Sequence, residues 1–167
     1  MHFQGNLSGI SIGIRGPVSI RPAFSVAPVN ISSIQITKSV NSETSEKRGS
    51  DTMGMKHRVD HGLYVIYGSI SPHLAKKTGF SDQDAEIFKQ ALRSLFENDS
   101  SSARPDGSMD VVKVYWWAHN CPSGQYSSAK VHDSLNVHVR EDVSVPRNVS
   151  DYVIEVKKLD GLIPEEY

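Results

Sequence analysis

The chain has 167 residues, 38% of them hydrophobic and 22% charged, with a formal net charge of −1. That length suits about one domain. No run approaches the ~20 apolar residues of a membrane helix, and the start lacks the layout of a secretory signal. Cys121 is the one cysteine, which excludes an internal disulfide and a cysteine-based zinc site, so a reducing cytoplasm is the expected location.

Residues 10–20 read as a strand interrupted at Gly16-Pro17, because proline cannot donate to a sheet ladder. Residues 24–40 continue in extended form, with an apolar phase slip at Ser32-Ser33 that predicts a bulge or bend. Residues 41–54 are polar apart from Met53 and read as a loop or flexible arm. Leu63 to Ile70 is apolar on both faces and predicts a central strand. Ser71-Pro72 opens a short helix and Gly79 closes it. Ser81 caps a helix over 82–97, with Asp84 placed for a capping box and a stripe of Ala85, Phe88, Leu92, Leu95 and Phe96. A loop over 98–110 leads to a strand from Val111 to Ala118. Two more strands are expected near 135–140 and 152–158. This order suits an α+β fold, with an antiparallel sheet and helices on one face. It also suits most of a ferredoxin-like domain whose first strand and helix are missing.

The small net charge hides an asymmetry. Residues 13–58 hold seven bases, Arg15, Arg21, Lys38, Lys47, Arg48, Lys56 and Arg58, against three acids, Glu43, Glu46 and Asp51. Residues 81–110 and 141–167 each hold seven acids against three bases. A basic stripe on a near-neutral chain fits a polyanion bound through one face; a solvated surface is the plainer alternative.

Nothing demands an enzyme. His57 and His61 flank a strand entry with no glutamate between them, and His119 and Cys121 lack a second ligand pair, so no metal site is expected. The phosphate-cradling glycine motifs and the nucleophile elbow are absent. Asp82, Asp84 and Glu86 sit where a helix dipole favours acids. No catalytic residue and no cofactor is expected.

Several stretches, in order, are "IRGPVSI" (14–20), "ITKSV" (36–40), "TMGMKHRV" (52–59), "GLYVIYGSIS" (62–71), "LAKKTGFSDQDAEIF" (74–88) and "ALRSLFENDSSSAR" (91–104). Together they resemble the Cas-seven family of CRISPR-associated proteins, in its Csd-two subfamily, over about residues 10–140. That family supplies the backbone subunit of the type I-C surveillance complex, Cascade. The resemblance implies a non-catalytic subunit that binds guide RNA (crRNA), stacks head to tail with copies of itself, joins other Cascade subunits and meets the target DNA strand through the guide. No membrane partner is implied, and the setting is the prokaryotic cytoplasm. The implied fold is an RNA-recognition-motif-like palm over 1–167, lacking its usual N-terminal portion and first strand. It carries a thumb hairpin at about 36–62 and additional strands at about 135–158.

The family's thumb wedges between guide bases and flips one out. The resemblance therefore implies that Met53 and Met55, on either side of Gly54, form an apolar wedge. Gly54 would let the backbone approach closely, and Lys47, Arg48, Lys56, His57 and Arg58 would neutralise phosphates nearby. The alternative is that the methionines fold back onto the core. Residues 41–58 are expected to order only on RNA. Lys38, Arg15, Arg21, Arg104 and Lys130 are further phosphate-contact candidates, each equally suited to a surface ion pair. Tyr115, Trp116 and Trp117 offer base-stacking platforms, with at least one tryptophan expected in the core. Where the family reads "GNAPAHK" this chain reads "SGQYSSAK", so Lys130 is the one match in that stretch. Two competing classes remain: a metal-dependent ribonuclease of the same superfamily, and a generic single-stranded RNA-binding module.

Overall fold

Local chemistry sets the helix ends. The Ser71 hydroxyl accepts the Leu74 N–H at the start of α1 (Pro72–Thr78), proline takes the first position, and Gly79 ends the helix in the left-handed region at φ 74°. At the start of α2 (Asp82–Arg93), the Ser81 hydroxyl accepts from Asp84 N–H at 3.2 Å while the Asp84 carboxylate accepts from Ser81 N–H at 2.7 Å. Those bonds hold the Asp84 carboxyl below its ordinary pKa. The helix stops at Arg93, and turns carry the chain to Asn98, short of the expected end at 97.

A computed structural model describes residues 13–37 and 53–167 of the chain, in two compact units. The first draws on residues up to 21, on 68–128 and on 160–167; the second on 22–67 and 129–159. The calls on residues 10–12 and 38–52 lie outside the described residues.

In the first unit, β1 (Val18–Ile20) pairs antiparallel with β6 (Gly68–Ile70), and the Ser71 N–H donates to the Pro17 carbonyl at 2.9 Å. A Cβ on Gly68 would lie 2.9 Å from Ile20 Cδ1 and 3.1 Å from the Ser19 carbonyl oxygen, so a side chain there would push the exposed Ile20 tip aside and crowd the backbone. Strand β7 (Tyr115–Trp116) pairs antiparallel with β10 (Glu165–Glu166). Leu162 is 2% exposed and Lys89, on α2, 4%. Lys89 Nζ donates to Glu165 at 2.7 Å and to Glu86 at 2.9 Å, and lies 4.9 Å from the centre of the Trp116 ring. Burial disfavours the ammonium, but the bonds to Glu165 and Glu86 outweigh that and hold its pKa above the ordinary lysine range.

The second unit is built from three antiparallel pairs. Strand β2 (Phe24–Ser25) pairs with β5 (Tyr64–Val65), β3 (Ile31–Thr37) with β4 (Met53–Val59), and β8 (Leu135–Val139) with β9 (Tyr152–Val156). Helix α3 (Ser128–His132) runs into this unit from Ala129 on, and a 3-10 turn (Val149–Asp151) precedes β9. Among its described residues Val131, Ser134 and Tyr152 are buried.

Mixed helices and small antiparallel sheets agree with an α+β reading. Four expectations are corrected. Leu63 to Ile70 is not one central strand: it splits into β5 and β6, which pair in different sheets. The expected slip at Ser32-Ser33 is absent, since β3 stays in register with β4 from Ile31 to Thr37. The strand expected over 111–118 shortens to Tyr115–Trp116. Residues 53–58 belong to strand β4, not to an arm that orders only on RNA; cross-strand bonds to β3 offset the entropy cost that a single-strand reading assigned to them. Helix α3 carries no clear periodic stripe and escaped the sequence reading.

Candidate nucleic-acid interface

The register of β3 against β4 settles which side chains share a face. Opposed residues in an antiparallel pair point the same way, and neighbours along a strand alternate. Met53 faces Thr37, Met55 faces Gln35, His57 faces Ser33 and Val59 faces Ile31, all on one side of the ribbon. Ile36 faces Gly54, Ile34 faces Lys56 and Ser32 faces Arg58 on the other. The structure therefore puts Met53 and Met55 on one face and Lys56 and Arg58 on the opposite face, where the sequence reading had grouped them. His57 goes with the methionines.

Both faces are open to solvent. Met53 is 65% exposed and Met55 56%, so neither folds back onto the core. Ile34 and Ile36 are exposed as well. Gln35 Nε2 donates to the Met53 sulfur at 2.9 Å, and Ser33 Oγ lies 2.8 Å from His57 Nδ1. These bonds orient the methionine face. A Cβ on Gly54 would meet Ile36 at an ordinary 3.5 Å, so packing within the chain does not require glycine there. Its effect is to leave a gap in the cationic face.

The ribbon is anchored at its base by Asp60. Its carboxylate accepts from Ser32 Oγ at 2.7 Å, from Asn30 Nδ2 at 2.6 Å and from Arg58 Nε at 3.3 Å. The Asp60 N–H donates to the Asn30 carbonyl at 3.1 Å. The Ser32 hydroxyl, with Asn30 and Arg58 behind it, holds the Asp60 carboxyl below its usual pKa. Sequence reading missed this anchor, because Asn30 and Asp60 come together only once the register is known.

The remaining candidates scatter. Arg15 and Arg21 are exposed on either side of β1, in the other unit. Arg104 forms an ion pair with Asp99, with Nε and Nη2 each 3.0 Å from a carboxylate oxygen, which is the ion-pair alternative for that residue. Lys130 is exposed on α3. Lys38, Lys47 and Arg48 lie outside the described residues. Trp116 packs against Phe88 and under Lys89, so it is the tryptophan committed to packing. Tyr115 and Trp117 face each other at 5.9 Å. Among the described residues no group of three His, Cys, Asp or Glu is placed to hold a metal ion, and no helix is long and apolar enough to cross a membrane.

An exposed ribbon with Lys56 and Arg58 beside Ile34 and Ile36 on one face, and the flexible methionines with His57 on the other, suits a ligand that carries phosphates and flat bases. The family model for CRISPR-associated protein Cas7 matches residues 2–157. The chain belongs to that family, the Cas-seven family of the sequence resemblance, and membership points to a CRISPR-associated, RNA-binding backbone subunit. No match is found among curated proteins.

Proposed function

We propose that the chain is a non-catalytic, guide-RNA-binding backbone subunit of a type I-C Cascade complex, working in the prokaryotic cytoplasm. The β3–β4 ribbon is its thumb, on an RNA-recognition-motif-like palm. The observation that carries this reading is the division of the ribbon. Lys56 and Arg58 neutralise phosphates on one face, while Met53 and Met55 on the other enter a gap between bases. Gly54 leaves room for a backbone on the cationic side. Recognition is independent of sequence, because it runs through phosphate charge and base stacking rather than base edges. Copies stack head to tail along the guide and meet other Cascade subunits, and the target DNA strand is reached by pairing with the guide.

The test separates the two faces. Replacing Met53 and Met55 by Ala should weaken assembly on guide RNA and leave its salt dependence unchanged. Replacing Lys56 and Arg58 by Gln should lower the log–log salt slope by about 1.4, at ~0.7 for each single-strand phosphate contact. RNA binding that ignores both pairs would overturn the reading.

A further inference from the structure

Strands β1 and β6 and helix α1 form a module with no acid in it. Residues 13–21 and 68–81 carry Arg15, Arg21, Lys76, Lys77 and His73 and not one Asp or Glu. The β1–β6 ladder and the Ser71–Pro17 hydrogen bond join the two segments, which seats the run that follows Arg15 against the start of α1. The remainder of the same unit behaves differently. Between residues 82 and 128 each base has a partner: Lys89 has Glu86 and Glu165, Arg104 has Asp99, Lys113 has Glu166, and Arg93 lies over the Tyr167 ring at 4.9 Å. Arg15, Arg21, Lys76 and Lys77 have no ion-pair partner among the described residues.

On α1 the cations share a face. Lys76 and Lys77 follow His73 by three and four residues, so each neighbours the imidazole at about 5–6 Å between Cβ atoms. With Pro72 and Pro122 they line a shallow surface groove. The two lysines, adjacent in sequence, repel across less than a helical turn, within reach of a Debye length of ~8 Å at physiological salt. The two lysines gain something from the helix dipole in the last turn, but that effect does not account for a module free of acids. A protein partner would want an apolar anchor in this groove, and its lining offers only the two prolines. A chain of phosphates wants closely spaced cations and nothing else.

We propose that this module is a second phosphodiester-binding face, on the unit that does not carry the ribbon, with Lys76 and Lys77 as its central contacts, His73 in the same groove, and Arg15 and Arg21 flanking β1 as outer contacts. The ligand is the backbone of single-stranded RNA. The proposal rests on the RNA-binding reading above and adds contacts that the ribbon does not supply. Its grip is electrostatic and independent of base, since no Phe, Tyr or Trp lines the groove.

The experiment titrates a uridine-only RNA oligomer against the full chain at several salt concentrations. The variants are Lys76→Gln with Lys77→Gln, Arg15→Gln with Arg21→Gln, Lys56→Gln with Arg58→Gln, and Lys76→Arg with Lys77→Arg. Each glutamine pair should lower the log–log salt slope by about 1.4, two contacts at ~0.7 each, and the arginine pair should restore it. If the Lys76/Lys77 and Arg15/Arg21 pairs bind as the parent does while the Lys56/Arg58 pair loses affinity, the ribbon reading stands and this face is refuted. If no pair changes the slope, both readings fail. Should the Lys76/Lys77 glutamine variant lose helical circular dichroism, the Arg15/Arg21 pair, which lies outside any helix, decides the matter. Unchanged RNA binding with lost self-association in sedimentation would assign the face to protein contact and overturn the proposal.

Discussion

Two hairpins of the second unit make opposite use of the same backbone. In β8–β9 the pairs Leu135–Val156, Val137–Ile154 and Val139–Tyr152 put six of the seven apolar side chains on one face, with Val153 opposite His138 on the other. The first of these faces is half-buried to buried, and Tyr152 reaches 8% exposure. In β3–β4 apolar side chains occur on both faces, mixed with Lys56, Arg58 and His57, and six of the seven residues of β3 and all seven of β4 are exposed. An alternation broken only at Val153 drives one hairpin onto a core. A divided one leaves the other without a face to bury, free to meet a ligand. The lesson is that strand length and hydrophobic content do not separate structural from functional hairpins; phase does.

The comparison breaks most sharply at Tyr152. Replacing it by Ala should cost about 3–5 kcal/mol in denaturant unfolding, the range for a large aromatic side chain removed from a core. A loss under ~1 kcal/mol would mean β8–β9 is no more structural than the ribbon. A matched pair of changes comes next. Ile154→Ala should cost about 2 kcal/mol, reduced from the full core value because the site is half-buried, whereas Ile34→Ala on the ribbon should stay within ~0.5 kcal/mol. Equal losses would erase the distinction.

Acid should loosen the ribbon's base. The Asp60 carboxyl has a folded pKa below its ordinary value, so its contribution is fully present above the unfolded pKa and is lost as pH falls through the folded one. Hydrogen exchange of the β3 and β4 amides should therefore quicken below the normal carboxylate range, and Asp60→Asn should remove that dependence. Amide protection that ignores pH there would show the anchor to be idle. The smallest effect on stability is expected for Met53→Ala with Met55→Ala, within ~0.5 kcal/mol, because both side chains already face water. A thermal midpoint several degrees lower, with normal assembly on guide RNA, would make them core residues after all.

Much of the frame was legible in the chain. Ser71-Pro72, Gly79, Ser81 and Asp84 announce two helices through capping chemistry that acts within four residues. The strands near 135–140 and 152–158 show in their alternation, and they appear as β8 and β9, paired with each other. Apart from the end of α2 and the unread α3, the weaker sequence readings involve strand pairing. Leu63 to Ile70 looks like one strand because both its halves are apolar, yet β5 finds β2 and β6 finds β1. The segment from Met53 looks like an arm because its polarity is high, yet β3 supplies seven pairing partners for it.

The sequence by itself determined the family, the capped starts of α1 and α2 and the presence of a basic, methionine-bearing stretch, because motif order, caps and composition are local properties. Tertiary structure alone decided that the methionines and the cations stand on opposite faces, that Asp60 closes the ribbon against Asn30 and Ser32, and that Lys89 rather than an apolar residue lies buried against Trp116. Each of those depends on register or on a contact across dozens of residues. A register shift of one residue would reverse every face, and nothing in a single strand's own sequence fixes that choice.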